Sequence, residues 1–328
     1  MQNGGKTYYF DEDGTSHTGW LLLDGTYYWI NANGTRRDDE LFQYDGNYYY
    51  VDKNGVMATS GWVYWDYNYY YPRSWGGMYK NAFITYDNNL YYLGSDSKMA
   101  IGWQSIGGNT YYFRSWGGMY RSTFFKAPTG SALYYADENG KMAVGKKQID
   151  GDWYYFKDWG GMYQNAFIKN GTSVCHAAAD GKLTVGWLQQ GSTYYYFDEN
   201  GEQYFDRFFE YDNNTYRVNA DGKMATGWQK INGTYYYFRG WGGMYRGTFF
   251  QLGGETYYAD ADGKMVTGWL SKENQWYYFR ENGAMYRNTF FTHLNNSYYA
   301  DANGVMVTGE RTCLLYTSPS PRDYAASR

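Results

Sequence analysis

The sequence predicts an all-β fold, an elongated β-solenoid of tandem β-hairpins with about 20 residues per hairpin in a 41-residue double repeat. Aromatic residues make up 23% of the 328 residues, with Tyr 44, Trp 14 and Gly 42 against 4 Pro. This composition suits short aromatic strands joined by glycine-containing turns. A Gly-Trp pair or its positional equivalent also recurs at steps of 41–43 residues, starting at Gly19, Gly61, Gly102, Gly145, Gly186, Gly227, Gly268 and Gly309.

Each period contains two related halves. The first, as in 227–245, reads Gly-Trp, a turn, Tyr-Tyr-Phe and then Trp-Gly-Gly-Met-Tyr. The second, as in 248–265, reads Thr-Phe-Phe, a turn, Tyr-Tyr and then Asp-x-x-Gly-x-Met. Each half is predicted to be one hairpin around a polar turn such as Asn232-Gly233. Because an isolated hairpin is only marginally stable, neighbouring hairpins must bury one another's aromatic faces. Residues 1–311 are therefore predicted to form one repeat module.

Residues 312–328 do not continue the repeat. Cys313–Asp323 reads like the translation of a sequencing-library adapter, and it contains Pro319 and Pro321. We expect this segment to be an assembly artefact and disordered. Because the chain also starts inside a repeat, we expect the array to be truncated at both ends, which leaves room for a catalytic domain elsewhere.

Charge, cysteine and histidine content argue against several function classes. The formal net charge is −4 without a basic stripe, which disfavours nucleic acid as a partner. No apolar run reaches the roughly 18 residues of a membrane span. With Cys175 and Cys313 alone, there is no disulfide framework or metal-type spacing. His17, His176 and His293 occupy unrelated repeat positions, so no catalytic set recurs. We expect a binding module that is not an enzyme and has no catalytic residue, metal or cofactor.

The aromatic pairs are the strongest candidates for binding. Their rings can attract a quaternary ammonium by cation–π interaction or stack on the faces of sugars. They can equally form the core of a thin solenoid. Because successive strand residues point to opposite faces, one ring of each Tyr-Tyr pair is expected to pack inward and the other to face a ligand. The methionines after the turn glycines, such as Met99 and Met224, are expected to fill the core.

The pattern Gly-Trp-x-x-x-x-Gly-x-Tyr-Tyr-Phe followed by Gly-x-Met-x-Thr-Gly-Trp resembles the cell-wall-binding or choline-binding repeat over residues 4–311. Related repeats occur in glucan-binding regions of glucosyltransferases and in clostridial toxin tails. The half-repeats that begin at Asn81 and Asn165 with Asn-Ala-Phe-Ile are similar to those of choline-binding autolysins. The resemblance implies a secreted, cell-wall-associated bacterial module that binds choline-bearing teichoic acid. It leaves open an α-glucan or other polysaccharide binder, a toxin-like host-glycan binder, and attachment to a hydrolase or transferase domain outside this sequence.

The resemblance also implies three-ring cages. Each would combine the Trp of Gly-Trp, a ring on the return strand of the same hairpin and a ring from the next hairpin. The implied ligand-binding residues are Trp20, Tyr27 and Tyr50; Trp62, Tyr69 and Tyr92; Trp103 and Tyr135; Trp187 and Tyr194; Trp228, Tyr235 and Tyr258; and Trp269, Trp276 and Tyr299.

Three cages depart from this pattern. Thr110 replaces the return-strand ring beside Trp103. Lys146 replaces the Trp of one period and His176 replaces the Tyr that should follow, so the cage around Trp153 is expected to be inactive. Arg217 stands where the third ring of the Trp187 cage is expected, and it would repel a cation.

Overall fold

A computed structural model of the chain describes residues 2–3 and 6–309. These residues form 30 β-strands and no helix, so they include no helical segment capable of crossing a membrane. The prediction of an all-β fold of tandem hairpins is confirmed. The expected artefact at residues 312–328 lies outside the described residues.

The chain divides into two compact units, of which the first comprises residues 1–168 and 177–183. Its strands are β1 Gln2–Asn3, β2 Lys6–Thr7, β3 Gly19–Leu23, β4 Thr26–Ile30, β5 Glu40–Tyr44, β6 Asn47–Val51, β7 Val63–Trp65, β8 Asn68–Tyr70, β9 Ala82–Tyr86, β10 Asn89–Leu93, β11 Gly102–Ile106, β12 Asn109–Phe113, β13 Thr123–Lys126, β14 Leu133–Ala136, β15 Gly145–Ile149 and β16 Asp152–Phe156.

The boundary between the units runs through β17 Ala166–Asn170 and β18 Ser173–Ala177. Of the described residues, the second unit comprises 169–176 and 184–309. Its further strands are β19 Gly186–Gln190, β20 Thr193–Phe197, β21 Arg207–Tyr211, β22 Asn214–Val218, β23 Gly227–Ile231, β24 Thr234–Phe238, β25 Thr248–Leu252, β26 Glu255–Ala259, β27 Gly268–Lys272, β28 Gln275–Phe279, β29 Thr289–His293 and β30 Asn296–Ala300.

Within each unit, consecutive strands pair as two-stranded antiparallel sheets. The β23–β24 hairpin shows the register, with Trp228 opposite Tyr237 and Lys230 opposite Tyr235. Its two turn residues, Asn232 and Gly233, have φ angles of 49° and 84°. Two-residue turns of this kind match the twist of the flanking strands and favour Asn, Asp and Gly, as the sequence predicted.

Neighbouring hairpins are joined through the loop that follows each one. In the first unit, the backbone N–H of Met99 donates to the carbonyl oxygen of Tyr69 at 2.8 Å, and in the second unit Met224 donates to Tyr194 at the same distance. The last residue of the Tyr-Tyr-Phe strands, as at Phe113 and Phe238, is fully buried. Each hairpin therefore contributes its inner face to a small local core and leaves its outer face available.

Candidate aromatic ligand cages

Strand register brings the Gly-Trp ring and the return-strand ring of a predicted cage to one face of a hairpin wherever both rings are present. In β23 and β24, Trp228 and Tyr235 lie on the same face, with ring centroids 6.5 Å apart and planes at 87°. The corresponding pair Trp62 and Tyr69 is 6.3 Å apart at 89°. The return-strand ring forms the outer wall of the cage, because Tyr69 is 44% exposed to solvent. This part of the predicted cage is therefore present in the structure.

The third ring comes from the next hairpin, but it belongs to the first tyrosine of the Tyr-Tyr pair. Tyr91 lies 4.9 Å from Trp62 at 63°, and Tyr257 lies 5.1 Å from Trp228 at 68°. The same contact recurs at Trp20 with Tyr49, Trp103 with Tyr134, Trp187 with Tyr216 and Trp269 with Tyr298.

The predicted third rings, one residue later in each pair, lie on the opposite face of the hairpin because side chains alternate along a strand. Tyr92, Tyr135, Tyr258 and Tyr299 each pack against a phenylalanine of the preceding strand. The hydroxyl of Tyr50 donates to Asp39 at 2.7 Å, and burial together with this hydrogen bond raises the pKa of Tyr50 to about 12. The cage geometry predicted for Tyr50, Tyr92, Tyr135, Tyr258 and Tyr299 is therefore corrected by one position.

A fourth ring, absent from the sequence prediction, completes some of the cages. It is the tryptophan of Trp-Gly-Gly-Met-Tyr in the following loop. Trp116 lies 6.0 Å from Tyr91 at 64°, and Trp241 lies 6.0 Å from Tyr216 at 64°. The same contact joins Trp75 to Tyr49 and Trp159 to Tyr134. The recurrence of this motif was visible in the sequence, but its place beside the cage depends on the stacking of hairpins.

The cage around Trp62 forms a cavity of about 450 Å³. Its lining consists of Trp62, Tyr69, Tyr86, Tyr91, Met99, Ser115 and Trp116. Rings set nearly perpendicular to one another turn several π faces toward one space, which suits a compact cation without directional hydrogen bonds. Met99 is half-buried: it packs against the core cluster of Ile84, Tyr91 and Leu93, as predicted, and it also lines this cavity.

The cages differ in how complete they are. Four rings are present around Trp20, Trp62 and Trp187. The Trp103 cage lacks the return-strand ring because Thr110 stands there. The Trp228 cage has Asn282 at the position of the fourth tryptophan. The Trp269 cage has three rings, with Trp276 at 6.1 Å and Tyr298 at 5.0 Å.

Arg217 does not disable the Trp187 cage. Its guanidinium pairs with Asp206 and lies 5.0 Å from the ring centroid of Phe208, on the face away from Trp187. Tyr216 supplies the third ring instead, at 5.1 Å from Trp187. The expectation that Arg217 stands at the third-ring position of this cage is therefore corrected.

Lys146 occupies the position of a lost Gly-Trp ring, whereas His176 holds the second position of its pair, the position of Tyr92 and Tyr258, and therefore does not replace a cage ring. The Lys146 ammonium lies 4.9 Å from the ring centroid of Trp153, within the range of a cation–π contact. The chain's own cation thus already covers this ring, which supports the expectation of an inactive cage. In the second unit, buried His176 is hydrogen-bonded to the Thr184 hydroxyl at 2.8 Å, which indicates a structural role.

The buried imidazole predicts a pH dependence of stability. Burial lowers the pKa of His176 below its usual 6.5, so the unfolded chain takes up a proton at a higher pH than the folded chain. Stability from this residue is present above pH 6.5 and is lost as the pH falls toward the lowered pKa. We expect the His176→Gln variant to lose less stability than the unchanged chain between pH 7.5 and about 5. Parallel thermal unfolding at several pH values measures this, and identical pH profiles would contradict it.

Two family models match the chain. One, described as a choline-binding repeat, matches residues 100–146 and 251–290. The other, described as a putative cell wall binding repeat, matches residues 2–16, 18–35, 39–57, 81–96, 147–162, 185–202, 206–224, 226–244 and 288–306. Together they cover more than half of the chain. A search of curated proteins finds no match.

Three solved structures from Streptococcus pneumoniae are similar to this chain. Choline binding protein F is 23% identical over 82% of this chain and 98% of its own, with a TM-score of 0.50. The modular autolysin LytC is 23% identical over 73% of this chain and 51% of its own, with a TM-score of 0.48. The choline-binding domain of CbpL is 29% identical over 57% of this chain and 97% of its own, with a TM-score of 0.46. The first of these likenesses supports the tandem-hairpin fold.

Proposed function

Because the chain belongs to the choline-binding and cell wall binding repeat family, we propose that it is a non-catalytic, cell-surface module that binds choline-bearing teichoic acid. The observation that carries this proposal is the recurring aromatic cage. The Trp62 cage places an exposed return-strand ring, Tyr69, and an exposed loop tryptophan, Trp116, around half-buried Trp62 and buried Tyr91.

The cage chemistry suits a trimethylammonium group. Such a group carries a delocalised positive charge, and its methyl groups make apolar contact with the rings. Each cation–π contact contributes roughly 0.5–2 kcal/mol. A cage of three or four rings in open contact with water is expected to bind free choline weakly, with a Kd on the order of millimolar.

Repetition compensates for weak single sites. A polymer that carries many choline groups can occupy several cages of one chain, and each later binding event is then intramolecular. The gain in avidity for linked sites is about 10²–10⁴. A surface polymer is therefore the partner best matched to a series of similar, weak cages, and retention at the bacterial cell wall is the expected consequence.

The repeat positions carry rings, glycine and asparagine where an enzyme would need paired acids and bases at working distance. Among the residues that the structure describes, no group of three or more His, Cys, Asp and Glu side chains is placed to hold a metal ion. We therefore propose binding alone for this chain and predict no turnover of cell-wall or glucan substrates in purified protein.

Retention on a resin of immobilised diethylaminoethanol, a choline analogue, tests the proposed ligand. Loading in about 1 M salt suppresses ordinary ion exchange, because the Debye length then falls to about 3 Å. We expect the chain to stay bound and to elute with free choline, while an equal concentration of sodium chloride leaves it on the resin. A dextran pull-down runs beside it. Capture by dextran without retention on the resin would replace choline with an α-glucan as the ligand.

A further inference from the structure

Three of the cages carry an acidic residue at the tip of the hairpin that supplies their third ring. The tips read Tyr44-Asp45, Tyr86-Asp87 and Tyr211-Asp212. The corresponding tips beside the Trp228 and Trp269 cages read Leu252-Gly253 and His293-Leu294. The three acidic tips belong to the cages of Trp20, Trp62 and Trp187, which are also the ones with four rings.

The turn places this aspartate directly after a tyrosine that contacts the cage tryptophan. Asp87 is the first residue of the two-residue turn between β9 and β10, with a φ of 45°. The preceding residue, Tyr86, lines the cavity and lies 6.1 Å from Trp62, while the following strand delivers Tyr91. In the second unit, Tyr211 lies 6.2 Å from Trp187 and Asp212 has a φ of 47°. The aspartate thus lies between two residues of the cage in sequence, at the turn that joins their strands.

The negative charge of each aspartate contributes to a raised pKa of the buried tyrosine in its cage. Burial raises the pKa of Tyr91 above its ordinary value, and the negative charge of Asp87 raises it further. The same two causes act on Tyr49 with Asp45 and on Tyr216 with Asp212. A field that opposes a negative phenolate in the cage wall also stabilises a positive charge inside the cage.

We propose that Asp45, Asp87 and Asp212 are specificity determinants that make three cages selective for cationic ligands over neutral ligands of the same shape. The cages around Trp228 and Trp269, without this carboxylate, discriminate less by charge. This inference rests on the proposed function in one respect, namely that the cages are ligand sites.

The chain contains a matched set of control carboxylates. Asp24, Asp66 and Asp150 also occupy the first position of a two-residue turn, with φ angles of 47°, 44° and 51°. Their hairpins, however, are those that begin with the Gly-Trp strand or its equivalent, and not those that supply the third ring. Burial is the main cause that raises the pKa of Tyr70 and of Tyr154, and Asp66 and Asp150 add only the smallest contributions; neither tyrosine is a cage ring. Replacing these three residues changes the net charge equally and leaves the cage tips intact.

The test compares the triple variant Asp45→Asn, Asp87→Asn, Asp212→Asn with the control Asp24→Asn, Asp66→Asn, Asp150→Asn. Asparagine suits these turns, so both should fold. Probes are choline and its neutral isostere 3,3-dimethylbutan-1-ol, titrated into the whole chain at low and high salt. We expect the first variant to bind choline about two- to threefold more weakly at low salt, because unit charges several ångströms apart interact modestly near a surface. High salt should remove the difference.

Affinity for the neutral isostere should stay unchanged in both triple variants, and the control should bind choline as the unchanged chain does. Equal loss of choline affinity in the two variants, or equal loss for the two probes, would overturn the assignment of these carboxylates. Unchanged choline affinity in the first variant at low salt would overturn it too. If the unchanged chain bound neither probe, the proposed function itself would be contradicted, so the two failures are distinguishable.

Discussion

Alanine at both Trp62 and Trp269 will lower binding to a choline-bearing polymer by about 10- to 100-fold. Each substitution removes the ring that contacts both the third ring and the return-strand ring of its cage, at 4.9 Å and 6.3 Å in the first and 5.0 Å and 6.1 Å in the second. The loss exceeds that of single contacts because the polymer bridges several cages and each lost cage removes an intramolecular binding step. Binding to a surface coated with choline-bearing polymer measures it.

The control for this pair is Trp153→Ala, because Lys146 already lies 4.9 Å over that ring. It should leave polymer binding almost unchanged, and so should His176→Ala. Since an alanine can loosen a hairpin stack, thermal unfolding must confirm that each variant folds. If folded Trp153→Ala lost as much polymer binding as the double variant, the tryptophans would serve as core residues alone.

Replacing Tyr216 will abolish choline binding at the Trp187 cage, while replacing Arg217 will leave it intact. Tyr216 lies 5.1 Å from Trp187 and 6.0 Å from Trp241, whereas Arg217 pairs with Asp206 on the other face. Tyr216→Leu keeps much of the buried volume and removes the π face, so we expect at least a tenfold loss at this site. Tyr216→Phe should retain binding, which separates the ring from its hydroxyl.

Fluorine NMR of chain labelled with 5-fluorotryptophan resolves this single site, with the Trp187 resonance assigned through Trp187→Phe. In the unchanged chain and in Arg217→Ala, choline should shift that resonance, and in Tyr216→Leu it should not. If choline failed to shift this resonance in folded Arg217→Ala but still shifted it in Tyr216→Leu, position 217 and not position 216 would belong to the cage.

The hairpin array was predictable because its signals are local and repeated. Alternating aromatic residues, two-residue Asn, Asp and Gly turns and a constant step are all set by neighbours in sequence, and the structure returns the same hairpins. The Gly-Trp ring and the return-strand ring were found for the same reason. Trp228 and Tyr235 belong to one hairpin whose register follows from its turn.

The third and fourth rings depend on contacts between hairpins, which the sequence does not specify directly. A Tyr-Tyr pair such as Tyr91-Tyr92 offers two rings on opposite faces, and its composition does not say which face meets the previous hairpin. The signal that distinguishes them was the Tyr216-Arg217 pair, where only the first residue is aromatic. Trp116 reaches its cage because the Met119 N–H bonds to Leu90 of the previous hairpin at 2.8 Å, a contact between residues far apart in sequence.

The most direct test of the cage assignment is a choline titration of the whole fluorotryptophan-labelled chain, with resonances assigned by single Trp→Phe variants. We expect saturable shifts at Trp20, Trp62, Trp187, Trp228 and Trp269, with millimolar midpoints. Trp65, which packs against Tyr50 at 5.9 Å, and Trp153, which lies under Lys146, should not respond. If the resonances of these five tryptophans stayed unchanged, or if Trp65 and Trp153 shifted as much as they did, the cage assignment would be contradicted.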